Sequence, residues 1–432
     1  RLCCMNKYNK QLTVAVCCLI FCCLCLFVAV LFGVNELLKE QTLDGDVVSQ
    51  SCWVPKGRDY CAPQFIIAGA MKCGTTSLWA YLINHPDILP LKKVQIDPRN
   101  LRTVLAEKEV RFFNDGAYKQ LSKEYGFDKA INYYLDLFHP IPPRPDCPEH
   151  PENFGKITGE ATPMYISGRG VAKRVYDALP QVKIIVMLRN PIDRAYSDYW
   201  FRKNLKIKAD QIGRFDVSGY THSEIFQQCM EIEMELFEKC KYNEFRDDPT
   251  LDSYDAFLQC HKRTSKTIMN ADEASDVCTK SDLAPLCIPD AIRGNCQNKG
   301  LEVGMYFGQV FEWLSIFPRD QILFIQSEEF YSNTVEVMQR VSEFLNVSPD
   351  FEWDDVVSTT FNIVNPTSAA GLKQNLFTNN TQAKNSLQIG ASNSTSEYPP
   401  LDPVVRSKLN NMMSKYNNAL AKILKDEKFR WK

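Results

Sequence analysis

Apolar and polar positions follow three different patterns along the chain. Residues 12–34 form a run of 23 residues without a charge, which is long enough to cross a bilayer as a helix. From residue 65 onwards, short apolar runs alternate with segments whose apolar residues recur every three or four positions. This is the pattern of strands followed by amphipathic helices. Between residues 201 and 300 the alternation stops, and the chain becomes polar and rich in cysteine.

The alternating part predicts a mainly parallel sheet with helices on both faces. The predicted strands are FIIA (65–68), KIIVML (183–188) and QILFIQ (321–326). The predicted helices run from about Thr75 to Ile83, over VAKRVYDAL (171–179), from Pro191 with Asn190 as N-cap, over SNTVEVMQRVSEFL (332–345), and through about the last thirty residues. Residues 365–400 are rich in Asn, Thr, Ser and Ala and predict an extended loop.

The charges beside the apolar run predict its orientation. Arg1, Lys7 and Lys10 precede residues 12–34, so the positive-inside rule places residues 1–11 in the cytoplasm. We therefore expect a single-pass type II protein with a transmembrane signal-anchor helix. The remainder divides into a stem at 35–60 and a lumenal domain at 61–432, which contains the cysteine-rich insertion at 201–300.

Cysteine usage agrees with a lumenal location. Of the 17 cysteines in the chain, six lie in the insertion: Cys229, Cys240, Cys260, Cys278, Cys287 and Cys296. Their spacing is irregular, no C-x-x-C pair occurs among them, and His261 is the one histidine between them, so a zinc site does not fit. We expect disulfides of open pairing in an oxidising compartment. N-x-S/T sequons at Asn346, Asn379 and Asn393 agree with it.

The segment AMKCGTTS, residues 70–77, joins the first predicted strand to a helix. A turn at a helix N-terminus presents backbone N–H groups without intrahelical partners and the positive end of the helix dipole, so it favours an anion. The candidate phosphate ligands are Cys73, Gly74, Thr75, Thr76 and Ser77. Lys72 would reach the bridging oxygen of an anhydride. The alternative is a tight turn with a surface lysine.

A second anion site is predicted in VMLRNPIDRAYSDYW, residues 186–200. Arg189 follows the carboxyl end of a buried strand, where ligands collect in open α/β sheets. Ser197 lies two helical turns further on, so an arginine and a serine would converge on a second phosphate. Taken alone, Arg189 fits a salt-bridged residue at the sheet edge equally well, and Ser197 a residue of the helix interior.

KCGTTSL together with VMLRNPIDRAYSDYW resembles the paired 5′- and 3′-phosphosulfate motifs of the Golgi carbohydrate sulfotransferases. The similarity extends over most of the lumenal part. It is greatest to the N-acetylgalactosamine 4-sulfate 6-O-sulfotransferase type, with the heparan sulfate sulfotransferases next. The resemblance implies a P-loop-like α/β sulfotransferase fold, a Golgi membrane location and no metal. It also implies 3′-phosphoadenosine 5′-phosphosulfate (PAPS) as the cosubstrate.

The implied acceptor is a glycan, with a glycosaminoglycan such as chondroitin or dermatan sulfate as the expectation. The net charge of −2 indicates no overall attraction to a polyanion, and membrane tethering argues against a nucleic acid partner. Basic groups close to the site in sequence are candidate acceptor contacts: Lys92, Lys93, Arg99, Arg102, Arg111, Arg169, Lys173 and Arg174. A homodimer is consistent with this kind of enzyme, but no residue establishes it.

The resemblance also suggests catalytic residues. Lys108-Glu109-Val110-Arg111-Phe112-Phe113 is similar to the Lys-Glu-x-His-Phe-Phe motif of the heparan sulfate branch. Glu109 is thereby the candidate general base with Lys108 in support, Glu160 is a second candidate, and Lys72 stabilises the leaving oxygen. Three departures are visible. Arg111 replaces the histidine, Ala161 replaces a common lysine, and about fifteen extra residues precede the motif.

Two other functions remain open at this point. A P-loop kinase or NTPase would place lysine where Thr75 stands and an acidic Mg²⁺ ligand at a strand end, where this chain has Arg189. A non-catalytic lumenal protein that binds the nucleotide, or acts as a scaffold, would tolerate the change from histidine to Arg111.

Overall fold

The computed structural model of the protein describes residues 45–49, 52–92, 108–208, 219–271, 275–287, 296, 300–348, 350–358 and 398–431. All of them belong to one unit, Leu43–Lys432. The predicted membrane segment at 12–34 and most of the predicted loop at 365–400 lie outside these residues. Within the described ranges, no helix has the length and apolar character needed to cross a bilayer.

An antiparallel ribbon and a parallel sheet contain the strands of the described part of the chain. The ribbon pairs β1 (Gly45–Ser49) with β2 (Cys52–Pro55). The sheet contains β3 (Phe65–Gly69), β4 (Ile88–Leu89), β5 (Ile157–Ala161), β6 (Lys183–Leu188) and β7 (Ile322–Gln326). Its order is β4-β5-β3-β6-β7, and every neighbouring pair is parallel. The prediction of a central parallel sheet is confirmed.

The strands at residues 65, 183 and 322 were predicted because each is a continuous apolar run. All five residues of β3 are buried, and alternate side chains of a strand point to opposite faces, so both faces of the sheet are covered. β4 and β5 were not predicted. β4 has two residues, and β5 (ITGEA) contains polar Thr158 and Glu160, which interrupt the apolar pattern although both are buried.

Helices cover the sheet and build a second layer. They are α1 (Thr75–Leu82), α2 (Asp115–Tyr125), α3 (Phe127–Leu135), α4 (Val171–Ala178), α5 (Pro191–Lys208), α6 (His222–Lys239), α7 (Tyr242–Asp247), α8 (Leu251–Asn270), α9 (Asp276–Lys280), α10 (Tyr306–Leu314), α11 (Ser327–Ser332), α12 (Thr334–Leu345), α13 (Trp353–Ser358) and α14 (Pro403–Leu424). The predicted helices at 75, 171, 191 and 334 and near the C-terminus are all present.

The region predicted as a cysteine-rich insertion is helical and has its own apolar core. α5 continues to Lys208, so it extends into the predicted range before α6 to α9 follow. Buried residues of α5, α6, α8 and α14 form this core, among them Ile192, Phe226, Phe257 and Met413. The six cysteines pair as Cys229–Cys296, Cys240–Cys260 and Cys278–Cys287.

The strand order creates a crevice at one edge of the sheet. From β3 the chain builds β4 and β5 on one side, and then crosses to build β6 and β7 on the other. In open α/β sheets, ligands bind outside the carboxyl ends of the strands where the order reverses in this way. Here that place lies beyond Gly69 of β3 and Leu188 of β6.

Candidate functional site

The turn between β3 and α1 lies at this reversal point. Gly74 caps α1 with φ of 93°, and Lys72 also has a positive φ of 70°. A Cβ atom on Gly74 would lie 2.7 Å from the Tyr331 hydroxyl oxygen, so conformation and space both require glycine here. Because α1 begins at Thr75, the N–H groups of its first turn lack intrahelical acceptors and are available to an anion.

Buried contacts from other strands hold this turn in place. The Ser327 hydroxyl, directly after β7, donates to the Cys73 carbonyl at 2.7 Å. The Cys73 thiol lies 3.5 Å from the Tyr306 hydroxyl, which donates to the Arg189 carbonyl at 3.1 Å. Burial raises the pKa of the Cys73 thiol. The Cys73 N–H donates to the Ala70 carbonyl at 3.2 Å. Cys73 therefore supports the turn, and its N–H already has an acceptor.

Lys72 lies half-buried against α5. Its ammonium group is 4.2 Å from the centre of the Phe201 ring, which is a cation–π contact. Burial lowers the pKa of Lys72, and Arg189 and Arg194 lower it further, while the Asp198 carboxylate raises it. Lys72 thus lies in a region of concentrated positive charge, where an anionic ligand would stabilise its charged form.

The turn and the second predicted site meet through Arg189. A guanidinium nitrogen of Arg189, Nη1, donates to the Lys72 carbonyl at 3.5 Å. The predicted N-cap is present, since Oδ1 of Asn190 accepts a hydrogen bond from the Ile192 N–H at 3.0 Å. Ser197 is buried on α5, and helical spacing places it on the same side as Phe201, which faces Lys72.

Two charged residues of α5 were not predicted as part of the site. Arg194 is fully buried and donates one hydrogen bond, to the Gly300 carbonyl, while Nε and Nη1 have no hydrogen-bond partner among the described residues. Asp198 is also buried and accepts from Arg202 Nε at 3.1 Å to each oxygen. Their i, i+4 spacing within a helix already suspected of anion binding was the available signal. Arg194 Nη1 also lies 3.9 Å from Asp198 Oδ2, so this carboxylate balances part of the buried positive charge.

Lys108 brings another cation to the turn. Its ammonium group donates to the Thr76 hydroxyl at 2.9 Å and lies 3.4 Å from that of Thr75. Burial lowers the pKa of Lys108 to about 8, although the Glu109 carboxylate opposes the shift. The sequence assigned Lys108 a supporting role beside the base, but the contact with both threonines required the tertiary structure.

Glu109, the candidate base, lies at the surface next to Lys108. Its side chain is 27% exposed, and Oε2 accepts from Arg111 at 3.0 Å to Nε and 2.6 Å to Nη2. Oε1 lies 3.8 Å from the Lys108 ammonium. The structure therefore brings the candidate base and the phosphate-binding turn together through Lys108. The carboxylate is paired with Arg111, which occupies the place of the expected histidine.

Glu160, the second candidate base, is fully buried at the end of β5. Its carboxylate accepts from the Val110 N–H at 3.1 Å and the Thr162 hydroxyl at 2.6 Å. The hydroxyls of Tyr134 and Tyr165 each donate to it at 3.0 Å. Burial raises the pKa of Glu160 to about 7, and these hydrogen bonds oppose the shift. With four donors and no exposure, Glu160 positions the segment that bears Glu109 and does not face an acceptor.

The other proposed basic contacts have mixed outcomes. Arg169 forms ion pairs with Asp255 and, at 2.7 Å, with Glu312, so it joins α4 to the helical layer. Lys173 pairs with Asp177 at 2.7 Å, and Arg174 donates to the Phe113 carbonyl. The Lys92 ammonium donates to the Asp136 carbonyl. Lys93, Arg99 and Arg102 lie outside the described residues.

The described residues contain no group of three or more His, Cys, Asp and Glu side chains arranged to hold a metal ion. The cations of the site are Lys72, Lys108, Arg189 and Arg194. Lys72 follows β3, Arg189 follows β6, Arg194 lies on α5 and Lys108 precedes α2, and all four lie near the turn at 70–77. Such an arrangement can hold two phosphate-like groups and place a carboxylate beside them.

Comparison with known proteins identifies the same regions. Residues 172–428 match the sulfotransferase domain, and residues 63–251 match the sulfotransferase family. The chain is 27% identical to the membrane-associated sulfotransferase kil1 of Dictyostelium discoideum over 74% of its own length. It is 24% identical to carbohydrate sulfotransferase 15 of Mus musculus over 86%, and 23% identical to the bifunctional heparan sulfate N-deacetylase/N-sulfotransferase of Drosophila melanogaster over 88%.

The chain spans 62%, 55% and 28% of the lengths of these three relatives, respectively. The two family matches together include the phosphate-binding turn, β6, α5 and the C-terminal helix. Because the first match alone covers more than half of the chain, the protein belongs to the sulfotransferase family.

Proposed function

We propose that the protein is a membrane-anchored carbohydrate sulfotransferase that transfers the sulfuryl group of PAPS to a glycan hydroxyl. One observation supports this proposal most strongly. The turn at residues 70–77 and the Arg189–Ser197 segment converge at the reversal point of the sheet, with Lys72 between them. Two anion-binding elements with a lysine between them suit a nucleotide with phosphates at both the 5′ and 3′ positions.

The residues of the crevice fit such a donor. The N–H groups of Gly74 to Ser77 and the hydroxyls of Thr75 and Thr76 would surround the 5′-phosphosulfate. Arg189 and Ser197 would contact the 3′-phosphate. Arg194 has two buried nitrogens without a hydrogen-bond partner among the described residues, and it adds positive charge behind this site. The surplus of cations over carboxylates there is the electrostatic condition for binding a multiply charged anion.

PAPS would supply an activated sulfuryl group bonded to the 5′-phosphate oxygen. Lys72 is placed to stabilise negative charge as that oxygen leaves, and Lys108 would add a second positive charge from the Thr76 side. Glu109 would accept the proton of the acceptor hydroxyl while the hydroxyl oxygen of the acceptor forms the new bond to sulfur. The protein's contribution is mainly position and electrostatics, by analogy with phosphoryl transfer.

The acceptor proposal rests on the relatives and on the exposed basic group beside the base. Two of the three relatives act on carbohydrate or heparan sulfate according to their names. Arg111 is 54% exposed next to Glu109 and offers a contact for an anionic sugar. We propose a glycosaminoglycan acceptor, with chondroitin or dermatan sulfate and the N-acetylgalactosamine 4-sulfate 6-O type of reaction as the first candidates.

The proposed location is the Golgi membrane, with residues 12–34 as a signal anchor and the catalytic domain in the lumen. The described part of the chain contains the disulfide Cys52–Cys61 and the three disulfides of the helical insertion. Disulfides of this kind suit an oxidising compartment. The location is testable by digesting intact vesicles with protease. The domain should be protected until detergent is added.

The activity test measures transfer of labelled sulfate from PAPS by the full-length chain to a panel of glycans. Lys72→Ala and Glu109→Ala should each reduce transfer by about 100-fold or more, since each removes charge stabilisation or proton transfer from the transition state. Lys280→Ala is the matched control, because its exposed ammonium pairs with Asp276 on α9, outside the site. It should leave transfer unchanged.

Binding of adenosine 3′,5′-bisphosphate separates the possible failures. We expect wild type and Glu109→Ala to bind it equally, and Lys72→Ala to bind it more weakly. A folded wild-type protein that does not bind this nucleotide would refute the donor assignment. Binding of the nucleotide without transfer to any glycan would refute the acceptor assignment.

A further inference from the structure

The backbone at Arg111 is held in an unfavourable conformation. Its φ of 57° lies in the left-handed region, which non-glycine residues rarely adopt. The Arg111 N–H donates to the Thr162 hydroxyl at 3.1 Å, and that hydroxyl donates to Glu160 at 2.6 Å. Phe112 and Phe113 directly afterwards are buried. The fold therefore fixes the backbone of Arg111 and directs its side chain outwards, a type of strain that tends to occur at functional positions.

The Arg111 side chain has one ionic partner among the described residues, the Glu109 carboxylate two positions earlier. We call this contact the Glu109–Arg111 pair. Both hydrogen bonds from the guanidinium go to the same carboxylate oxygen, Oε2, and the Arg111 side chain is 54% exposed. Exposed ion pairs are held weakly because water competes for both charges. An anion of the right shape can therefore replace the carboxylate on the guanidinium at little cost.

The same pair conflicts with the role of Glu109 as a base. A carboxylate oxygen that accepts two hydrogen bonds from a guanidinium is poorly available to accept a proton from a hydroxyl. The second oxygen, Oε1, lies 3.8 Å from the Lys108 ammonium, which donates to Thr76. Release of Oε2 from the guanidinium would therefore make both carboxylate oxygens available to the reacting hydroxyl.

We propose that Arg111 couples the charge of the acceptor to the availability of the base: a sulfate or carboxylate group on the acceptor binds the Arg111 guanidinium and thereby frees the Glu109 carboxylate for the reacting hydroxyl. This inference rests on the proposed function. It makes Arg111 a residue that determines specificity, and it gives a reason for arginine in the place of histidine. The planar guanidinium can bind two oxygens of a sulfate or carboxylate group, whereas it binds a single oxygen of Glu109.

An acceptor without an anionic group near the reacting hydroxyl leaves the Glu109–Arg111 pair in place and therefore reacts more slowly.

The test compares two oligosaccharides that have the same sugars and linkages and differ by one anionic group beside the acceptor hydroxyl. Transfer of labelled sulfate by the full-length wild type should have a kcat/KM at least about 10-fold higher with the anionic acceptor, since a hydrogen bond to a charged group contributes this much or more. Arg111→Ala should bring the ratio close to one, because transfer to the anionic acceptor falls while transfer to the neutral one is maintained or rises. Arg111→Lys should give an intermediate ratio.

Arg144→Ala is the matched control. Arg144 is exposed and has a comparably weak ion pair, with Asp146, so its removal should leave the ratio as in wild type. Adenosine 3′,5′-bisphosphate should bind wild type and all variants equally, which confirms that each is folded at the donor site. An equal loss of transfer to both acceptors in Arg111→Ala would overturn the inference, because Arg111 would then only support the segment.

A wild type that uses both acceptors equally would overturn it as well. Absence of transfer to any acceptor, or of nucleotide binding, would instead be a failure of the proposed function. The two failures are therefore distinguishable.

Discussion

The two halves of the candidate site are built in different ways. On the proposed donor side, backbone groups of the turn at 70–77 would bind the ligand, and buried contacts from Ser327 and Tyr306 fix this turn. On the proposed acceptor side, the partly exposed side chains of Glu109 and Arg111 would contact the substrate, and residues 93–107 before them lie outside the described part. The donor half thus depends on strand order, whereas the acceptor half depends on individual side chains.

This difference explains why the donor could be inferred more readily than the acceptor. A turn with Gly74 in a left-handed conformation tolerates few substitutions, so the residues of the turn indicate the proposed function directly. An exposed arginine can be exchanged at little cost in stability, so substrate preference can change there without changing the fold. Variants of the two halves can test this difference between donor side and acceptor side.

The disulfide Cys229–Cys296 should support the donor half from a distance. It closes a loop of 67 residues, and its removal by Cys229→Ser with Cys296→Ser should lower the free energy of unfolding by about 4 kcal/mol in the chain-entropy model. Cys296 precedes Gly300, whose carbonyl accepts from Arg194, so binding of the bisphosphate should weaken as well. Thermal unfolding and nucleotide titration measure the two effects.

The disulfide Cys278–Cys287 provides the comparison within the same insertion. It closes only nine residues, so Cys278→Ser with Cys287→Ser should cost about 2.5 kcal/mol and leave nucleotide binding unchanged. Equal effects of both double variants on nucleotide binding would contradict the support proposed for Arg194.

Arg189→Ala should weaken binding of adenosine 3′,5′-bisphosphate by about 100-fold, since hydrogen bonds to a charged group contribute about 1.5–3 kcal/mol. Glu109→Gln should leave that affinity unchanged and reduce only transfer. Calorimetric titration of both variants tests whether the halves are separable. A large loss of nucleotide affinity in Glu109→Gln would show that they are not.

Glu160→Gln should lower the free energy of unfolding by about 1–3 kcal/mol, because an amide has one acceptor oxygen in place of two and cannot satisfy all four donors. The pKa of Glu160, about 7, is raised above the ordinary value of 4.5, so the folded protein holds this proton more tightly than the unfolded chain. The contribution of this proton to stability is complete below pH 4.5 and is lost as pH rises to about 7. Denaturant unfolding at several pH values should show this slope in wild type and not in the variant.

Lys108 should cause the smallest effect, a pH dependence of nucleotide binding. Its pKa of about 8 means that it loses its charge as pH rises from 7 to 9. The affinity for the bisphosphate should therefore fall by up to about tenfold over this range. Lys108→Arg should move the fall to higher pH, towards the titration of Lys72. Identical profiles for wild type and variant would exclude Lys108 from the donor site.

The sheet shows how far sequence reasoning reaches in this protein. Continuous apolar runs identified β3, β6 and β7, since strands buried on both faces leave that pattern. β5 was missed because its buried Glu160 accepts hydrogen bonds from Tyr134 and from the Val110 N–H, which are 26 and 50 positions away and which no local pattern reveals. The helical insertion was recognised by its cysteines, but their pairing depends on how α6 and α8 pack.

The site followed the same rule. Lys72, Gly74 and Arg189 were identified because strand–turn–helix segments place ligand groups at known positions. In the structure Arg189 donates to the Lys72 carbonyl, and the predicted N-cap at Asn190 is confirmed. Two contacts could not be predicted, because each joins segments that lie far apart in the sequence. Lys108 contacts the threonines of the turn, and Arg194 contacts Gly300. The Glu109–Arg111 pair depends on side-chain conformations, which no sequence pattern reveals.

The central position of β3 has a consequence for biosynthesis. β3 is the first strand of the sheet to leave the ribosome, yet its neighbour β6 follows more than a hundred residues later, and the serine that supports the Cys73 carbonyl lies 254 positions further along. The nascent phosphate-binding turn therefore remains without support during most of translation. Any polypeptide that ends before Ser327 lacks this support. Nucleotide would therefore not stabilise such a chain against recognition by the quality-control machinery of the cell.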